Sequence, residues 1–179
     1  NLLKRLESSV HAFRLTLGSL QDKLTNTLST IEKFEAGQNI DVSEFTDGLE
    51  SLESEDDELS GLDDFTVGGK TQISLTDMDV ERWKSDLESD LYLIKTLITS
   101  MEKVTPEEDV KLQHIKKQIA AKIANPINPG NRKILIFTAF ADTANYLFKN
   151  LARGPLENDG VNFGMVTGQD TPKTTLGTG

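Results

Sequence analysis

A chain of 179 residues has room for one domain or two small ones, and 36% hydrophobic with 27% charged residues is ordinary for a soluble protein. No apolar run approaches the roughly 18–20 residues of a membrane span. With no cysteine and no N-x-S/T acceptor, nothing points to a disulfide-stapled secreted fold. The net charge of −10 is unevenly spread: eleven acids and no Lys or Arg lie between Asn39 and Thr66, so the rest of the chain sits near +1.

The opening "NLLKRLESSV" lacks the pattern of a signal peptide, and a cytoplasmic protein is expected. Residues 1–37 predict one long helix. Leu3, Leu6, Val10, Phe13, Leu17, Leu20, Leu24, Leu28 and Ile31 alternate steps of three and four, the spacing of a coiled-coil seam, and Gly37 closes it. So narrow a stripe needs a partner, and residues 77–104 supply one. Met78, Val80, Trp83, Leu87, Leu91, Ile94, Leu97, Ile98, Met101 and Val104 repeat the helical spacing, with Thr76 or Asp77 placed to cap the start. An antiparallel hairpin over 1–104 follows. Its connection, about 38–75, holds the acidic run and is either partly disordered or an interaction segment.

At "VTPEEDVKLQHIKKQIAAKI" a new helix is signalled by Thr105 as cap, Pro106 in the first turn and Glu108 completing a capping box. Leu112, Ile115, Ile119 and Ile123 form its buried stripe, and Pro126 and Pro129 end it, so 105–131 is a connecting helix and loop. The pattern then changes. Lys133–Thr138 reads as a strand buried on both faces, Asp142–Ala152 as a helix with Ala144, Leu147, Phe148 and Leu151 on one side, and Val161–Gly168 as a second strand. The fold class expected is therefore mostly α with a partial α/β end: the long hairpin, then one incomplete βαβ unit over 132–179 and a flexible tail, "TPKTTLGTG".

Few residue patterns suggest chemistry. "VGGKTQI" ends like a phosphate loop at Gly69-Lys70-Thr71, but Asp64 stands where the first glycine belongs, and no buried strand precedes it. In "TGQDTPKT", Lys173 takes the second glycine's place. His11 and His114 have no second ligand at helical spacing, so no metal site is expected and packing or exposed roles are. The basic span Lys111–Lys133 carries Lys111, Lys116, Lys117, Lys122, Arg132 and Lys133 and no acid. It can be a solvated face or a contact for phosphates, which need only cations on one side.

The helix Lys111–Ile123, the "KILIFTAF" strand Lys133–Phe140, the helix "ADTANYLFKNL" and the strand ending "MVTG" together resemble the second motor lobe of superfamily-two, DEAD/DEAH-type helicases. The likeness is strongest to Swi/Snf-like ATPases and their bacterial relatives. "LLKRLESSVHAF" is similar to a segment that bacterial members place between their two lobes. The resemblance covers about 1–20 and 105–168, and implies a RecA-like lobe begun at 132. It implies that Thr138, Ala139 and Phe140, with Thr167 and Gly168, lie near a nucleic-acid backbone; Lys116, Lys117 and Lys133 are the accompanying cation candidates. Ligands of open parallel sheets do meet the C-terminal strand ends, where Thr138 and Thr167 fall.

The departures are as informative. Phosphoryl transfer needs a phosphate cradle, a carboxylate-held metal and a charge-stabilising Arg, and this chain assembles none of those motifs. It is expected to be an inactive fragment of an ATP hydrolase, with ATP and Mg implied only for the parent. Its expected partner is nucleic acid, DNA before RNA, with a possible protein partner at the acidic segment and no membrane. The competing expectation is a non-enzymatic coiled-coil module that docks partners through that segment.

Overall fold

The computed structural model describes residues 2–37, 79–152, 160–168 and 171–177. These residues form five helices and one small sheet: α1 Leu2–Ser8, α2 Val10–Glu35, α3 Val80–Glu102, α4 Val110–Ala124, α5 Ala141–Leu151, β1 Gly164–Met165 and β2 Lys173–Thr174. Among the described residues, no helix is long and apolar enough to cross a membrane. The chain divides into two compact units. Arg14–Met101 make one; Leu2–Phe13 and Glu102–Gly179 make the other.

In the first unit the seam periodicity is expressed as burial. Leu17, Leu28 and Ile31 of α2 are buried, and Leu20, Leu24 and Phe34 are half-buried between them. On α3 the half-buried positions are Val80, Trp83, Leu87, Leu91, Ile94, Ile98 and Met101 (with Lys84), the stripe read from the sequence, although none of them is fully covered. Leu97, assigned to that stripe, is exposed because it lies a residue off the seam. Lys84 donates to Glu35 at 2.7 Å, which ties the start of α3 to the end of α2, as an antiparallel pair requires. Gly37 closes α2 with a φ of 70°, a conformation glycine adopts without strain, and its amide bonds the Phe34 carbonyl. The acidic run, the candidate caps Thr76 and Asp77, and "VGGKTQI" lie outside the described residues. Asp79 accepts from the Arg82 amide and caps α3 instead.

The second unit holds the continuous core. Leu112, Ile119 and Leu151 are buried together, with Ile115, Ile123, Tyr146, Leu147 and Phe163 packed against them. This is the α4 stripe meeting the apolar side of α5, as read from sequence. α5 also packs on β1, whose Met165 is buried.

Four expectations need correction. The helix over 1–37 is two helices, because the Ser9 hydroxyl accepts the Ala12 amide at 3.0 Å and caps α2 anew. The i to i−4 bonds still run through, from the Ser9 amide to Arg5 and from the Phe13 amide to Ser9. The start of α4 moves from Thr105 to Asp109, whose carboxylate accepts the Leu112 amide. Glu108 does reach back to the Thr105 amide at 3.3 Å, but that box closes a separate turn.

Next, Lys133–Thr138 is neither helix nor paired strand and is exposed throughout, with Leu135 at 82% and Phe137 at 89%. A strand is buried on both faces only where neighbours cover it, and no described strand lies beside it. Finally, β1 pairs antiparallel with β2, Gly164 opposite Thr174 and Met165 opposite Lys173. The segment expected as a loose tail therefore supplies a strand. A βαβ crossover is not formed by the described residues.

Two stability measurements check this arrangement. Leu112→Ala should cost about 2–5 kcal/mol by denaturant unfolding, through transfer and cavity terms. Phe137→Ser should stay within about 0.5 kcal/mol, since its ring has no packing to lose. The hydrogen bond that Lys84 donates to Glu35 holds the Lys84 pKa above its ordinary value. Glu35→Gln should bring it back down, read by NMR titration of the Nζ protons. The sign follows from linkage: a raised folded-state pKa favours the fold below the ordinary lysine value and ceases to as pH passes the raised one. The pair is solvent-exposed, so its effect on stability is small.

Candidate nucleic-acid interface

The turn Thr138–Phe140 leads into α5, and α1 holds it there. Arg5 is 5% exposed, yet it is a cation. Its Nη1 donates to Asp142 Oδ2 at 2.6 Å, and its guanidinium lies 4.7 Å from the centre of the Phe140 ring. An ion pair with a carboxylate and a stacked aromatic face are the two compensations that a buried guanidinium uses best. One turn on, the Ser8 and Ser9 hydroxyls share hydrogen bonds with Thr143 Oγ1 at 2.7 and 3.0 Å. Ser8 Oγ also approaches Thr138 Oγ1 at 3.4 Å.

A further turn along both helices, His11 stacks on Tyr146 with centroids 5.0 Å apart. The Tyr146 hydroxyl donates to Asp109 Oδ2 at 2.9 Å, while Asp109 Oδ1 caps α4. Lys111 Nζ donates to the Glu7 carbonyl. One polar ladder thus joins α1, the start of α2, α5 and the start of α4.

The candidate residues fall into three places. Thr138 and Ala139 are exposed and Phe140 is half-buried beneath Arg5; Thr138 Oγ1 accepts the Phe140 amide at 3.3 Å, which shapes the turn. Phe140 occupies the cap position of α5 with extended φ and ψ and makes no side-chain cap bond. Thr167 is half-buried and Gly168 exposed, beyond β1. A Cβ added to Gly168 meets nothing within 4 Å, and its φ is not positive, so neither packing nor backbone conformation requires glycine there. On α4, Lys116 is half-buried, in helical register between Leu112 and Ile119, and Lys117 is exposed; Lys133 is exposed in the following connection. The turn is thus brought against α1.

Of the residues set aside, His11 packs and His114 is exposed. Lys173 of β2 donates to Asn145 Oδ1 at 2.6 Å. Among the described residues, no three His, Cys, Asp or Glu side chains gather as a metal site.

Sequence reading missed the residues that hold the turn: Arg5, Ser8, Ser9, Thr143, Tyr146 and Asp109. A signal was present. Arg5, Ser9, Ala12 and Thr16 are all buried and recur at steps of four, three and four. This stripe runs beside the apolar one, but three of its four members are polar, so a search for apolar residues passes over it. Compared with known proteins, the chain matches no family model, no curated relative and no solved structure.

The ladder makes a graded prediction by thermal or denaturant melts. Tyr146→Phe should cost about 1 kcal/mol, the worth of one hydrogen bond. Asp109→Ala should cost about 2–3 kcal/mol, because it removes the α4 cap and also leaves the tyrosine hydroxyl unsatisfied.

Proposed function

We propose that this chain is the inter-lobe helical region and the beginning of the second motor lobe of an ATP-dependent, nucleic-acid-acting helicase or translocase of the Swi/Snf-like class. By itself it lacks the hydrolysis machinery. The observation that carries the reading is the Arg5 contact with Asp142 and Phe140. The family resemblance singled out "LLKRLESSVHAF" and, more than a hundred residues on, "KILIFTAF" with "ADTANYLFKNL". They meet in one polar ladder.

Two further facts support it. A Cβ at Gly168 would meet nothing within 4 Å among the described residues, which leaves room for an external backbone to come close. The apolar run Ile134–Phe137 is exposed, so it is open to a neighbour that would cover it. The hairpin unit then serves as a rigid guide or lever beside the motor. The coiled-coil docking module stays a distinct second reading, favoured by the incomplete burial of the α3 stripe and the exposure of Tyr92, Leu93 and Leu97.

Fluorescence anisotropy with labelled single-stranded and duplex DNA at about 50 mM salt tests the reading, since phosphate contacts dominate at low salt. Weak, salt-sensitive binding is expected. Replacing Lys116, Lys117 and Lys133 by Gln should flatten the salt slope by up to about 0.9 per lost phosphate contact. Gly168→Ala should weaken binding without moving the melting temperature. Calorimetric titration should show no ATP binding; stoichiometric binding would make "VGGKTQI" a nucleotide loop after all. Extending the reading frame decides between the two readings. First-lobe phosphate-loop and acidic motifs upstream and an arginine motif downstream support the motor, and a full gene without them overturns it.

A further inference from the structure

We infer that Arg5 is the positioning residue for the Thr138–Phe140 turn, so that α1 sets the surface this turn offers to a nucleic-acid backbone. The choice of ligand rests on the motor reading; the geometry stands apart from it. A guanidinium that is 5% exposed cannot offer its charge to an outside phosphate. Its effect is on its neighbours, and it acts on them in two ways.

The first is steric. The guanidinium covers the Phe140 ring at 4.7 Å, and Phe140 fixes where the turn becomes helix. Ser8, three residues on in the same helix, reaches Thr138 at the other end of the turn. Thr138 in turn accepts the Phe140 amide. Both ends of the turn are therefore referred to α1.

The second is electrostatic. Asp142 is the acid in the first turn of α5, two residues past Phe140. Left unpaired, its carboxylate would repel a phosphate approaching the turn. The 2.6 Å contact with Arg5 neutralises it from the buried side. Lysine at position 5 would keep that charge but has no planar face for the ring. Arg5→Lys therefore separates the two effects.

The experiment uses the full chain and the variants Arg5→Gln, Arg5→Lys and Asp142→Asn. Amide hydrogen exchange is read at Thr138, Ala139 and Phe140, with α3 as internal control, and DNA affinity by anisotropy on the same samples. Arg5→Gln should speed exchange at the turn while leaving α3 unchanged, and weaken DNA binding roughly three- to thirty-fold, the usual range for coupling through packed neighbours. Arg5→Lys should retain more of the affinity than Arg5→Gln yet show the faster exchange. Unchanged exchange at the turn in Arg5→Gln overturns the inference, as does unchanged affinity when wild type binds. If wild type binds no DNA, the motor reading fails, and exchange alone decides positioning. Should Arg5→Gln not fold, Arg5→Lys and Asp142→Asn carry the same comparison: faster exchange confined to the turn sustains the role, and wild-type exchange in both overturns it.

Discussion

A buried guanidinium constrains everything around it. Removing Arg5 from water is tolerable only if a carboxylate and further compensating contacts are fixed close by, and Asp142 and Phe140 sit where they meet that need. The register of α1 against α5 follows from this single requirement. Once residues 5 and 142 are matched, the next positions along both helices fall opposite one another: Ser8 and Ser9 with Thr143, then His11 with Tyr146. Tyr146 passes the constraint on to Asp109, which caps α4. Nonpolar packing of Leu112, Ile119 and Leu151 supplies the burial in this unit. Hydrophobic contact is non-directional, however, and the polar ladder is what selects one register from several that would bury similar area.

The helices were legible because their burial follows a period. The stripes of α2 and α3, the Leu112–Ile123 face and the α5 face follow the apolar spacing, except that Leu97 and, in α1, Leu3 are exposed. Cap positions were less legible. Asp109 caps α4 where Thr105 was expected, and Ser9 caps α2 inside what reads as one helix; short polar side chains at neighbouring positions differ little in that capacity. The run Ile134–Phe137 was misread for a different reason. Composition can say that a segment suits a buried strand, but burial belongs to the neighbours. The pairing of Gly164–Met165 with Lys173–Thr174 was invisible because two-residue strands carry no periodicity.

The candidate site was half legible. Thr138, Ala139 and Phe140 were singled out by resemblance; the side chains that hold this turn were not, since Arg5 and the serines look like the solvated side of a helix. Burial of a polar stripe shows itself only when the partners' spacing is compared, and Thr143 and Tyr146 repeat the step of α1 from more than 130 residues away.

Charge distribution bears on the proposed partner in a way that net charge does not. At physiological ionic strength the field of an exposed charge fades over roughly 8 Å. A polyanion at α4 therefore responds mainly to charges within that distance, Lys116 and Lys117 among them. Six cations and no acid occupy Lys111–Lys133, while eleven acids and no cation occupy 39–66. Interspersed charges would cancel within a screening length and leave a surface indifferent to phosphate. Segregated ones leave a local field of each sign, so an overall charge of −10 is compatible with attraction to a phosphate backbone. Such attraction carries no sequence information, which suits the proposed role in a motor that moves along a backbone whatever bases it meets.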